Sequence, residues 1–107
     1  MGSFAFNVNR SFLEDKSHPI TVPKAQYPAL KAEGFSSGTN LTIFFPHGER
    51  FAGHLYSSRG GYGWYYQLRL RGKGSAPFPD YLKDGDGLFV ALAKVGRHSY
   101  AVLEYPE

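Results

Sequence analysis

A chain of 107 residues holds one hydrophobic core, with no room for a second domain beside it. Its 42% hydrophobic and 20% charged content excludes wholesale disorder, and the absence of cysteine excludes disulfide stapling, thiol chemistry and cysteine-held zinc. A net charge of +3 identifies no partner by itself, so the placement of the charges has to carry that argument.

Phe4, Phe6 and Val8 alternate with small or polar residues, the period-two signature of a first strand. Asn9 to Pro19 is polar and mixed in charge and reads as a loop. Ile20-Thr21-Val22 makes a short strand closed by Pro23. Lys24 to Ala32 follows as a short helix in two parts, because Pro28 cannot sit deep inside a helix; Gly34 ends it. Thr39 to Phe45 is a strand with Leu41, Ile43 and Phe45 on one face, and Pro46-His47-Gly48 turns the chain into a strand from Arg50 to Tyr56.

Trp64 to Arg71 shows the clearest alternation, with Trp64, Tyr66, Leu68 and Leu70 on one face and Tyr65, Gln67, Arg69 and Arg71 on the other. Gly72 to Pro77 reads as a loop. Phe78 to Leu82 reads as one helical turn with Pro79 near its start, and Asp84-Gly85-Asp86-Gly87 as a turn. Leu88 to Lys94 and Ser99 to Tyr105 form a hairpin around Val95-Gly96-Arg97. About seven strands and two short helices at this spacing argue a small barrel or sandwich. The predicted core is Leu41, Ile43, Phe45, Leu55, Trp64, Tyr66, Leu68, Leu82, Phe89, Val90, Leu92 and Val102.

The charges cluster. No acidic residue falls between Glu49 and Asp80, an interval holding Arg50, Arg59, Arg69, Arg71 and Lys73 together with His54, Trp64 and Gln67. A basic hairpin that mixes guanidinium, aromatic and amide groups suits a polyanion with readable edges, which is nucleic acid. At its tip, Ser57-Ser58-Arg59-Gly60-Gly61 can approach a groove closely because of the glycines, and Arg59 can reach guanine or phosphate. An ordinary hairpin tip would also solvate an arginine there; the adjoining face of Gln67, Arg69 and Arg71 favours binding. Of the aromatic trio, Trp64 and Tyr66 fall to the core and Tyr65 to the contact face. The Asn9 to Lys24 segment adds Arg10, Ser11, Lys16, His18 and Lys24 as donors for phosphates and base edges, partly offset by Glu14 and Asp15.

Nothing demands catalysis. Glu14-Asp15-Lys16 and Pro79-Asp80 match the two halves of a nuclease signature, but in the wrong order and at a length that chance supplies. Asp84 to Gly87 lacks the further ligands and closing glutamate of a calcium loop, and His18, His47, His54 and His98 are too dispersed for a metal site. Ser57 and Ser58 have no elbow context and no base partner. The expectation is a non-enzymatic domain without cofactor or metal.

In their order, these pieces resemble the DNA-binding pseudobarrel superfamily: the B-three domain of plant auxin-response-type transcription factors and the recognition domains of type II restriction endonucleases. Ile20-Thr21-Val22-Pro23-Lys24 is similar to the family's strand ending in an apolar-Pro-Lys signature. Gly38 to Phe51 resembles the next strand pair, Leu55 to Leu68 the strand, Ser-rich arm and aromatic strand, and Phe78 to Phe89 the second short helix and Gly-Asp turn. The Gly-Trp that follows the aromatic strand in the plant pattern is replaced by Gly72 to Pro77, and the acidic-serine lead-in to the first arm is reduced to Ser11 and its neighbours, which favours the restriction-associated branch. The resemblance implies a mostly β, open seven-stranded pseudobarrel with two short helices. It also implies that double-stranded DNA is gripped in the major groove by two arms, about 9–19 and 56–65. Arg10, Lys16, His18, Ser57, Ser58, Arg59 and Tyr62 would then face bases or phosphates, with Lys24, Gln67, Arg69 and Arg71 in support.

Two rival readings stand beside this one. The Ile-x-Val-Pro-Lys run is similar to swapped-hairpin antitoxins and transition-state regulators, although those are much shorter. Tyr62, Trp64 and Tyr65 could instead stack bases or sugars in a module for single-stranded nucleic acid or carbohydrate. No apolar run approaches the roughly 20 residues that cross a bilayer, and MGSFAFNVNR has no signal-peptide core, so a cytoplasmic or, in a eukaryote, nuclear protein is expected. Met1-Gly2-Ser3 is compatible with a cloning remnant, and so with a domain cut from a longer chain that could carry a nuclease.

Overall fold

The computed structural model describes residues 2–61, 63–71 and 78–106. Tyr62 and the expected loop Gly72 to Pro77, including Lys73, lie outside the described residues. The alternating segments all become strands: β1 (Gly2–Asn7), β2 (Ile20–Thr21), β3 (Asn40–Phe44), β4 (Arg50–Gly60), β5 (Gly63–Leu70), β6 (Gly87–Val95) and β7 (His98–Glu104). They form one sheet in the order β1-β6-β7-β3-β4-β5-β2. Every neighbouring pair is antiparallel except β3 and β7. The sheet curls into a nearly closed barrel whose single unsealed seam lies between its two edge strands, β1 and β2. This is the open seven-stranded barrel with two short helices that the sequence predicts. Among the described residues no helix is long and apolar enough to cross a membrane.

The inward face of each strand supplies the core: Phe4 and Phe6, Leu41 and Ile43, Phe51 and Leu55, Leu68 and Leu70, Leu88, Val90 and Leu92, Ala101 and Leu103. Gly53 lets β4 lie close to its neighbours. A Cβ there would stand 2.5 Å from Ile43 Cδ1 and 2.8 Å from the Arg69 carbonyl oxygen, so any side chain would have to displace backbone.

Four expectations are corrected. The segment from Asn9 is not all loop, because α1 (Arg10–Glu14) opens it. The Asn9 side-chain oxygen accepts from the Phe12 backbone N–H at 2.9 Å, a standard N-cap that satisfies one of the helix's orphan donors. Phe12 is the reason this helix docks. Its fully buried ring meets Phe6 and Phe78 edge-on at 5.3 and 5.5 Å and lies over Phe45 at 6.3 Å. Second, Phe78 to Leu82 is not helical. Side chains pin it instead: the Tyr81 hydroxyl donates to Glu49 Oε1 at 2.8 Å and accepts from the His47 backbone N–H, while its ring stacks on His47 at 3.8 Å. Burial, with Glu49 beside it, pushes the Tyr81 phenol up to about 12. Third, Trp64 is 59% and Phe89 51% exposed, so neither belongs to the core. Phe89 alternates with the buried Leu88 and Val90 and therefore faces out. Fourth, Tyr66 and Val102 are only half-buried.

The expected two-part helix is present, as a single 3-10 turn (Lys24–Gln26) running into α2 (Tyr27–Ala32), with Pro28 in the first turn where its missing N–H costs nothing.

Leu68 is fully buried opposite Leu55, and Leu68→Ala is expected to cost about 2–5 kcal/mol in urea unfolding. Phe12→Ala should cost about 3–5 kcal/mol for the same reason, and a loss under about 0.5 kcal/mol, the scale of surface changes, would remove either residue from the core.

Candidate nucleic-acid interface

Strand alternation divides the β4–β5 ribbon into two chemically different faces. The outer face pairs His54 with Arg69, Tyr56 with Gln67 and Ser58 with Tyr65. The other face pairs Leu55 with Leu68, Ser57 with Tyr66 and Arg59 with Trp64. Gln67, Arg69, Tyr65 and Ser58 therefore share a face, and Arg71, one residue past β5, continues it. Ser57 and Arg59 do not share it. Ser57 donates to the Ser37 hydroxyl at 2.7 Å, in a groove of about 790 Å³ lined by Tyr27, Leu30, Phe35, Trp64 and Tyr66. Arg59 is exposed near the ribbon tip, with no side-chain partner among the described residues.

Arg69 is the most constrained of the candidate side chains. Its guanidinium carbon lies 3.6 Å from the Tyr56 ring centroid, and its Nε and Nη2 donate to Gln67 Oε1 at 2.9 and 2.8 Å. Two of its five N–H groups are spent on Gln67, and the rest stay available to an acceptor, as does the Gln67 amide nitrogen. Hydrogen bonding from Ser58, then Tyr65 and the Arg69 charge, draws the Tyr56 phenol below its usual range.

The first arm meets this face. Asn9, Arg10, Ser11 and Asp15 enclose with Thr21, Gln67 and Arg69 a polar cleft of about 450 Å³. Arg10 is held by Glu14 through Nε, 3.1 Å from both carboxylate oxygens, in an exposed pair that a phosphate can displace at little cost. Asp15 accepts from the Ser17 backbone N–H and hydroxyl at 2.9 and 2.8 Å, which holds its carboxyl below the usual range. It is the one acceptor-only group among the residues lining the cleft, suited to a base amino group rather than to phosphate.

His18 takes a structural position. Its ring stacks on Phe78 at 3.6 Å, its Nδ1 donates to the Phe12 carbonyl at 2.6 Å, and its backbone φ is +45°. Lys16 and Lys24 are exposed, Lys16 in the turn after α1 and Lys24 in the 3-10 turn. The structure thus brings Arg10, Ser11, Gln67 and Arg69 together, leaves Arg59 on the reverse face and turns His18 towards the core. Sequence reasoning passed over Tyr56 and named His54 only as part of the basic interval, without a site role; the signal was present, since both fall in phase with Ser58 on the outward side of β4.

His54 Nδ1 is buried without a hydrogen-bond partner among the described residues. Unpaired acceptors are less costly than unpaired N–H groups, which puts the proton of the neutral ring on Nε2. Desolvation, with Arg71 and Arg69 nearby, holds the His54 pKa below its ordinary value. The unfolded chain therefore takes up this proton first on acidification, and stability falls as pH drops from about 6.5 towards the lower folded value. Thermal melts between pH 8 and 5 should show this slope, and His54→Gln should flatten it; identical slopes would mean His54 is not perturbed.

No protein-family model matches this chain, and no curated protein matches it.

Proposed function

We propose that this chain is a sequence-specific double-stranded DNA-binding domain, which applies the outer face of β4–β5 and the α1 arm to the major groove. Arg69 carries the reading. A guanidinium held 3.6 Å from the Tyr56 ring centroid and clamped by Gln67, across a cleft from Arg10 and Ser11, suits reading guanine edges or clamping phosphate. Its role is binding without catalysis, as the target-recognition module of a restriction endonuclease or as a transcription regulator. The exposed tip of β4, where Ser58 and Arg59 run into Gly60 and Gly61, is the second arm.

The exposure of Trp64 favours one alternative, an aromatic platform for single strands. Against it, Trp64 and Tyr65 lie on opposite faces of β5 and cannot stack successive bases of one strand.

Fluorescence anisotropy on duplexes selected from a random library tests the proposal. Arg69→Ala should weaken the selected duplex by about 1–3 kcal/mol and relax preference at one position. Arg69→Lys should not restore it, because an ammonium has neither the fork nor the stacking plane. Arg59→Ala, which frees no anchored group, should lose less. Wild-type binding no tighter to duplex than to a single strand would overturn the reading.

A further inference from the structure

The outer face does not stop at β4. His54 pairs with Arg69 on one side and with Asn40 of β3 on the other. In the parallel β3–β7 ladder Thr42 pairs with Tyr100, and two residues back along both strands sets Asn40 level with His98. One transverse row thus runs Arg69, His54, Asn40, His98. Beyond its end Arg97 occupies the two-residue β6–β7 turn, where Gly96 at φ +62° takes the left-handed position of a tight hairpin. Arg71, Arg97 and His98 line a second cleft of about 460 Å³ with Asn40, Thr42 and Ser99, and no residue lining it is acidic. The cleft begins at Arg71, two residues beyond Arg69, and reaches His98, which lies three strand spacings from Arg69 along the sheet, about 14 Å. Polar hydroxyl and amide groups between two exposed arginines, with no acidic residue among the lining, suit phosphate oxygens.

We propose that the Arg71–Arg97–His98 cleft is a phosphate site that extends the DNA footprint across β4 and β3 to the β6–β7 turn, gripping the backbone independently of sequence. This rests on the DNA-binding reading above and adds residues outside both arms. The expected signature is electrostatic. A slope of about 0.9 per phosphate makes one contact worth roughly fivefold in affinity at 0.15 M salt.

The test is anisotropy over a salt series, on the selected duplex and on a scrambled one, with Arg97→Ala and Arg97→Lys in the full chain. Arg97→Ala should weaken both duplexes alike, about fivefold at 0.15 M, and lower the log–log salt slope by about 0.9. Arg97→Lys should restore the slope, since a phosphate accepts any point charge. Because Arg97 is exposed in a turn, an unchanged melting temperature will show that folding is intact. An unaltered slope in Arg97→Ala, alongside lost affinity in Arg69→Ala, would overturn this site and leave the DNA-binding reading standing. A wild-type chain that binds no duplex would overturn both.

Discussion

The ring of Phe12 holds the proposed binding surface to the scaffold. Helix α1 has five residues, too few to persist alone, and its lasting hold on the barrel comes from one fully buried side chain packed among Phe6, Phe45 and Phe78. His18, stacked on Phe78 and bonded to the Phe12 carbonyl, closes the segment at its far end. Arg10 and Ser11 lie between the Asn9 cap and Phe12, which sets them across a cleft from Gln67 and Arg69. The cluster also sits at the end of β1, one border of the unsealed seam. A single aromatic contact set therefore serves stability and the placement of the proposed contact residues together.

Arg69 and Arg59 illustrate two ways of presenting the same group. An exposed cation over a tyrosine gains about 0.5–1 kcal/mol, while immobilising a long side chain on binding costs about 0.5–1.5 kcal/mol. The two are of similar size, so the stack on Tyr56 and the Gln67 clamp can prepay most of the ordering of Arg69 in the free protein. Arg59 has no such help and must meet that cost on contact. Under the DNA-binding proposal, the ordered Arg69 near the barrel wall suits discrimination and the adaptable tip beyond it suits capture.

Most strands were legible because the alternation of β3 and β5 is clean and each is bounded by Gly or Pro turns, whereas the continuous apolar run of β7 put Val102 in the core instead of Ala101 and Leu103. Helix α1 was obscured because only Phe12 and Leu13 are apolar in a charged stretch, although Asn9 ahead of them was a cap signal. The helical turn expected at 78–82 failed to a tertiary bond, Tyr81 to Glu49, that no local pattern encodes. Trp64 was misassigned since β4 and β5 run beyond the barrel, where strand alternation continues but there is no interior left to fill. For the site, composition located the β5 face and the first arm. It did not divide Ser57 and Arg59 from Ser58 and Arg69, a separation set by register.

The two ladders that complete the sheet join residues far apart in the chain: Gly2 pairs with Leu92, and Ile43 with Ala101. Until β6 and β7 have been synthesised, β1 has no neighbour and β3 presents an open edge to solvent. The barrel is thus assembled late in the life of the nascent chain. Loops of this length are expected to make closure slow, in the millisecond-to-second range of non-local β folds. During that interval the unpaired Asn40-Leu41-Thr42-Ile43-Phe44 edge is the segment most in need of protection from other chains.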